Sequence, residues 1–313
     1  MFACPDADRC SFCGRQLPET PRRRRGVTGK AGGAVQDFRG REKRRDGVTL
    51  EETCELSYYR EIAVLNREHG VTLVQHMESG RIFVKKVLVT YDAEVFRYLQ
   101  RRHVPHTPEI YAVVEDGDRL TVIEEYISGR SLREILDREG TLTETRAEDI
   151  IKQLCEILQH LHNASPPIIH RDIKPSNVIV SSEGTVTLLD MDAAKWERED
   201  EARDTRLIGT VGYAAPEQYG FGASTVQTDL YSLGVLLNVM LTGGFPNESP
   251  AQGRLGKAVL SCTRMEPRSR PASAGALLRL LDGDSGRRDP GGRRGWTSFL
   301  PPGFRIIEKR KLD

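Results

Sequence analysis

From Tyr58 to about residue 127, short runs of apolar residues alternate with polar ones, and from Ser131 onward apolar residues recur every three or four positions. The first pattern has the period of a strand with one buried face, the second that of an amphipathic helix. VTLVQHM at 71–77 and RIFVKKVLV at 81–89, joined through Ser79-Gly80, read as a hairpin. DAEVFRYLQRR from Asp92 reads as a helix, and EIYAVVE and RLTVIEEYI as strands flanking a turn at Asp116-Gly117. SLREILDR and AEDIIKQLCEILQHLH follow as helices, the second with Ile150, Ile151, Leu154, Ile157, Leu158 and Leu161 as its apolar residues. Two strand-like pieces, NVIVS and TVTLLD, surround Gly184, after which TDLYSLGVLLNVMLTG, GRLGKAVLSCTRM and SAGALLRLLD are helical again. The pattern predicts an α+β protein, a small β-rich lobe followed by a larger α-helical one.

Composition narrows the class. With 38% hydrophobic and 29% charged residues among 313, the chain is ordinary globular material with room for one large domain or two small ones. The longest apolar stretch, Leu230 to Leu241, falls short of the roughly 20 residues of a bilayer span and contains Asn238, so no membrane span is expected. The start, MFACPDADRCSFCGRQ, lacks the basic and apolar segments of a secretory signal, which predicts a cytoplasmic protein.

The net charge of +1 conceals a segregation: residues 21–45 carry +8 and 287–313 carry +5, while 46–286 hold −11. This predicts a folded body over 58–282, a disordered basic extension over 1–57 and a flexible basic tail over 283–313. Solvated arms are the simplest reading; contact of the arms with nucleic acid or an anionic surface is the alternative. Cys10 and Cys13 have a metal-like spacing with Cys4 nearby, but the second pair a structural zinc site wants is missing.

The chemistry concentrates in IIHRDIKPSNVIVSSEGTVTLLDMD, which puts Asp172, Lys174, Asn177 and Asp190 in one strand-loop-strand unit. A carboxylate to accept a hydroxyl proton, a carboxamide and a second carboxylate to hold magnesium, and a lysine to offset charge are what phosphoryl transfer needs. The residues occur together in the expected order.

On these motifs the chain resembles a eukaryotic-like serine/threonine protein kinase, of the kind also widespread in bacteria, over roughly residues 58–282. The resemblance implies a bilobal fold with an N-lobe of about 58–127 and a C-lobe of about 128–282. It implies ATP and Mg2+ as cofactors, and proteins with Ser or Thr hydroxyls as substrates. Asp172 would be the catalytic base, Asn177 and Asp190 the magnesium ligands, Lys174 the mark of Ser/Thr specificity and Arg171 a receiver of an activation-loop phosphate, with Thr205 the candidate phosphosite. GTVGYAAPEQ at 209–218 resembles the substrate-docking loop, with Thr210 near the base, Glu217 paired with Arg270, and Asp229 holding the catalytic loop's backbone. The stretch from Pro246 to Leu255 is shorter than usual, which predicts that a docking helix is reduced or absent.

For the lysine that reaches the nucleotide phosphates, FVKK offers Lys85 and Lys86. Residues two apart in a strand share a face, so Lys86 puts small Val84 beside the adenine where Lys85 would put Phe83, which favours Lys86. Glu94 on the following helix is its expected ion-pair partner. LNREHGVT stands where a glycine-rich phosphate loop is usual, and only Gly70 survives. Glu124 occupies the position behind the adenine pocket, ahead of hinge residues Glu125, Tyr126 and Ile127, and Met191 and Asp192 replace the usual Phe and Gly. His160 and His162 read as capping or surface residues. The rival functions are a pseudokinase or ATP-binding scaffold, a small-molecule phosphotransferase, and an RNA-associated regulator.

Overall fold

A computed structural model describes residues 50–197, 209–220 and 222–283. The basic arms, Cys4, Cys10, Cys13 and Thr205 lie outside the described residues. The chain divides into two compact units, one comprising the residues up to Val89 with Tyr111–Glu125, the other Thr90–Ile110 with everything from Tyr126 on.

The first unit is built on helix α1 (Leu50–Ser57) and strands β1 (Tyr59–Asn66), β2 (Val71–His76), β3 (Ile82–Leu88), β4 (Ile110–Asp116) and β5 (Arg119–Glu125), in the sheet order β1-β2-β3-β5-β4. Val74, Phe83, Ala112 and Ile123 form its core, with Leu56, Tyr59 and Tyr111 packed against them. The Phe83 ring meets Tyr59 and Tyr111 edge-on at 5.5 and 4.8 Å, geometry that suits aromatic quadrupoles. Leu56 explains why residues 50–57, assigned by sequence to the extension, are helical: the helix has an apolar side chain to bury.

β1 shows no sequence alternation because nearly all of it is exposed at the sheet's edge. Its pairing with β2 slips between Glu61 and Ala63 and again between Val64 and Asn66. A four-residue turn joins these strands, and Gly70 ends it at φ +61°. A Cβ there would stand 2.9 Å from the Val87 carbonyl oxygen, while the Gly70 carbonyl accepts the Val87 N–H at 3.1 Å. Close backbone approach inside the sheet therefore demands this glycine.

The second unit contains α2 (Ala93–Arg101), β6 (Arg130–Ser131), α3 (Leu132–Glu139), α4 (Glu144–His162), β7 (Ile168–Ile169), β8 (Val178–Val180), β9 (Val186–Leu188), β10 (Lys195–Trp196), α5 (Val226–Thr242), α6 (Gly253–Cys262) and α7 (Ala274–Leu281). Asp92 caps α2 by accepting from the N–H groups of Glu94 and Val95, and Ser131 and Glu134 form a reciprocal capping box on α3. Helix α2, expected in the small lobe, groups with this unit: Tyr98 stacks edge-on against Trp196 at 5.1 Å, and the His106 carbonyl downstream accepts the Leu188 N–H.

All six apolar residues singled out on α4 are buried. The apolar run of α5 is a core helix covered on every side, and among the described residues no helix is long and apolar enough to cross a membrane. Asn238 is the exception within that run because its amide donates to the carbonyls of Gly244 and Ser249 and accepts from the Ala251 N–H. One side chain thus ties down the short connection before α6, and no helix forms between Gly243 and Gln252.

Candidate active site

The loop between β7 and β8 carries the first predicted cluster. Asp229, fully buried near the start of α5, accepts the backbone N–H groups of His170 and Arg171 at 2.9 and 2.8 Å and Nε2–H of His162 at 2.9 Å. Burial alone would raise its pKa, but the hydrogen bond and charge of His162, with those of His170, hold it below the usual aspartate value. Arg171 adopts φ +67°, an uncommon conformation for a residue with a side chain, immediately before Asp172.

His170 closes the underside of the loop. Its Nε2 donates to the Leu189 carbonyl at 3.0 Å, and its Nδ1 accepts the Asp172 N–H at 3.3 Å, so the ring ties the loop to the chain beyond β9. His162, read from sequence as capping or surface, instead has a buried side chain committed to Asp229, while His160 is exposed. Its role was invisible because its partner lies 67 residues away in the chain.

Asp172 sits at the centre of a closed set of hydrogen bonds. Lys174 Nζ donates to Asp172 Oδ2 at 2.7 Å, Thr210 Oγ1 donates to Oδ1 at 2.7 Å, and Lys174 Nζ also reaches Thr210 Oγ1 at 2.9 Å. Asn177, in the 3-10 turn Pro175–Asn177, donates from Nδ2 to the Asp172 carbonyl at 2.9 Å and to Oδ2 at 3.2 Å. Its amide oxygen accepts from the Ser176 hydroxyl at 3.4 Å.

Asp190 follows β9 at φ +72°, next to Leu189, whose N–H is bound by the Asn177 carbonyl at 2.8 Å. An amide oxygen and a carboxylate are oxygen donors that suit magnesium. Among the described residues no group of three or more His, Cys, Asp or Glu is arranged to hold a metal ion.

The loop after Gly209 is anchored from below. Arg270 makes a two-pronged pair with Glu217 at 2.7 and 2.9 Å, both residues 5% exposed. Its guanidinium also donates to the carbonyls of Arg264, Met265 and Gln227 and stacks 4.9 Å over the Tyr231 ring, so every edge of it is used. Gln218 donates to the Arg171 carbonyl at 2.8 Å, coupling this loop to the catalytic one. The Tyr213 ring packs edge-on against Phe245, leaving Val211 83% exposed.

In the first unit the two candidate lysines separate cleanly. Lys85 is partly exposed and pairs with Glu61 at 2.9 Å. Lys86 is 6% exposed, shares its strand face with Val84, and lies with Nζ 3.3 Å from Glu124 Oε1. Glu94, expected as the lysine's partner, pairs with Arg97 one turn along α2 at 3.1 Å, its side chain 66% exposed. β5 ends at Glu125, and Tyr126 and Ile127 leave it as extended chain.

Comparison with known proteins gives a matching answer. The protein kinase domain model matches residues 70–273. The chain is 30% identical over 205 residues to the mitogen-activated protein kinase kinase SIPKK of Nicotiana tabacum, covering 62% of this chain and 57% of that protein. It is 33% identical over 206 residues to the serine/threonine-protein kinase PknA of Corynebacterium glutamicum, covering 64% and 43%. Over 160 residues it is 33% identical to a probable serine/threonine-protein kinase PknB of Lactococcus lactis, covering 51% and 25%. The chain therefore spans from a quarter to a little over half of these relatives' lengths.

Proposed function

Because this chain belongs to the protein kinase family, we propose that it transfers the γ-phosphoryl group of ATP to serine and threonine hydroxyls of proteins in the cytoplasm. The observation that carries this reading is the bonding of Asp172 to Lys174, Thr210 and Asn177. Three donors fix the carboxylate's plane, and the lone pair that remains on Oδ1 is left for an incoming hydroxyl. Asp172 then takes the hydroxyl proton as the oxygen attacks phosphorus in line with its leaving group. Lys174, already beside Asp172, offsets charge on the transferred group.

Asn177 and Asp190 would hold magnesium through the Asn177 amide oxygen and the Asp190 carboxylate, and the ion would supply neutralisation of the phosphate oxygens. Lys86 is the lysine for the nucleotide phosphates: it is the buried one, and Val84 is the half-buried residue beside it. Gly70, Glu125 and Ile127 complete the nucleotide's expected surroundings. A protein substrate is supported by the braced loop over 209–220, whose Thr210 bonds the base while Val211 is presented to solvent.

Phosphate transfer from labelled Mg-ATP to the chain itself and to a generic basic protein tests the reading, with Asp172→Ala as control. A second reading, an ATP-binding scaffold, is favoured by the short turn between β1 and β2, which has one glycine where the family has three. Nucleotide binding without transfer would be its result.

A further inference from the structure

Lys86 and Glu124 lie on adjacent strands in a register that puts their side chains on one face. Lys86 is opposite Val122 and Val84 opposite Glu124 in the β3–β5 ladder, a diagonal relationship that long side chains span. Their charged ends are 3.3 Å apart, with side-chain exposures of 7% and 9%. Opposite charges removed from water in this way hold each other in the ionised form, and removing either leaves the other buried against its preference. The helix carboxylate that the family resemblance assigns to this lysine is on Arg97 and largely in solvent.

We propose that Glu124 is a positioning residue for phosphoryl transfer: its carboxylate pairs with the Lys86 ammonium and holds it for the nucleotide phosphates. The proposal rests on the kinase reading and deepens it. The pair is built between two hydrogen-bonded strands of one sheet, so the β3–β5 ladder fixes both backbones. The same carboxylate sets a charged, occupied group at the position behind the adenine pocket, so ligands that extend an apolar group there would have to break a buried ion pair.

The experiment compares the full chain with Glu124→Gln, Glu124→Asp and Glu94→Gln in two measurements. The first is steady-state phosphate transfer as a function of ATP. The second, made without nucleotide, is the pH profile of Lys86 modification by an amine-reactive reagent, followed by peptide mass spectrometry. Glu124→Gln is expected to raise the KM for ATP by about tenfold or more and to move Lys86 modification to lower pH, since a neutral neighbour favours the free amine. Glu124→Asp is expected to recover a substantial part of both, and Glu94→Gln to have the smaller effect on each. An unchanged modification profile in Glu124→Gln, or a larger loss in Glu94→Gln, would overturn the assignment. If the wild-type chain transfers no phosphate, the kinase reading fails, yet the modification profile still decides whether Glu124 governs Lys86.

Discussion

Thr210 Oγ1 donates a 2.7 Å hydrogen bond to Asp172 Oδ1 from 38 positions further along the chain. The loop that would receive a substrate and the group that would deprotonate it are thereby one hydrogen-bonded unit, with Lys174 bridging both. Thr210→Ala should lower kcat by about tenfold while leaving the ATP KM nearly unchanged, and Thr210→Ser, which keeps the hydroxyl, should recover most of the loss. Steady-state kinetics with ATP varied at fixed protein substrate checks this.

Asp229 predicts a pH dependence of stability. Its pKa in the folded chain lies below the ordinary value of 3.8, so the folded state binds its proton less readily than the unfolded state does. The stabilisation is therefore complete above pH 3.8 and declines as pH falls toward the lower, folded-state pKa. Asp229→Asn should flatten the acid limb of a denaturation series across that window. It should also lower kcat, because the backbone donors at His170 and Arg171 lose a charged acceptor.

The Glu217–Arg270 pair should behave as a buried bridge does. Arg270→Ala leaves the Glu217 carboxylate buried without its guanidinium and removes a donor from three carbonyls, so a loss of about 3–5 kcal/mol is expected in urea unfolding. Glu217→Gln should cost less, since Thr228 Oγ1, which donates to Glu217 Oε1, can still bond the amide oxygen.

Gly70→Ala should destabilise the chain by about 1–3 kcal/mol, since alanine meets both an unfavourable φ and the Val87 carbonyl. A lower thermal midpoint is the expected readout.

The sequence made legible the residues whose chemistry is local. Asp172, Lys174 and Asn177 lie within six positions, and a single turn brings them into contact. The long-range partners Glu217 and Arg270 are legible only through the family resemblance, since they lie 53 positions apart. Strand β1 escaped because an exposed edge strand has no alternation to show, and α1 because one partly buried leucine in a polar stretch is a weak signal. His162 and Glu124 escaped for a different reason. Each is a polar residue whose role is set by a partner brought close by tertiary structure, Asp229 from α5 and Lys86 from the neighbouring strand. Periodicity carries no record of such pairings.

The most direct test of the central claim is phosphoamino-acid analysis after incubating the purified chain and a generic protein substrate with labelled Mg-ATP, beside Asp172→Ala under identical conditions. The account predicts label on phosphoserine and phosphothreonine with the intact chain and none above background with the variant. Equal labelling by both proteins, or label confined to phosphotyrosine, would contradict it.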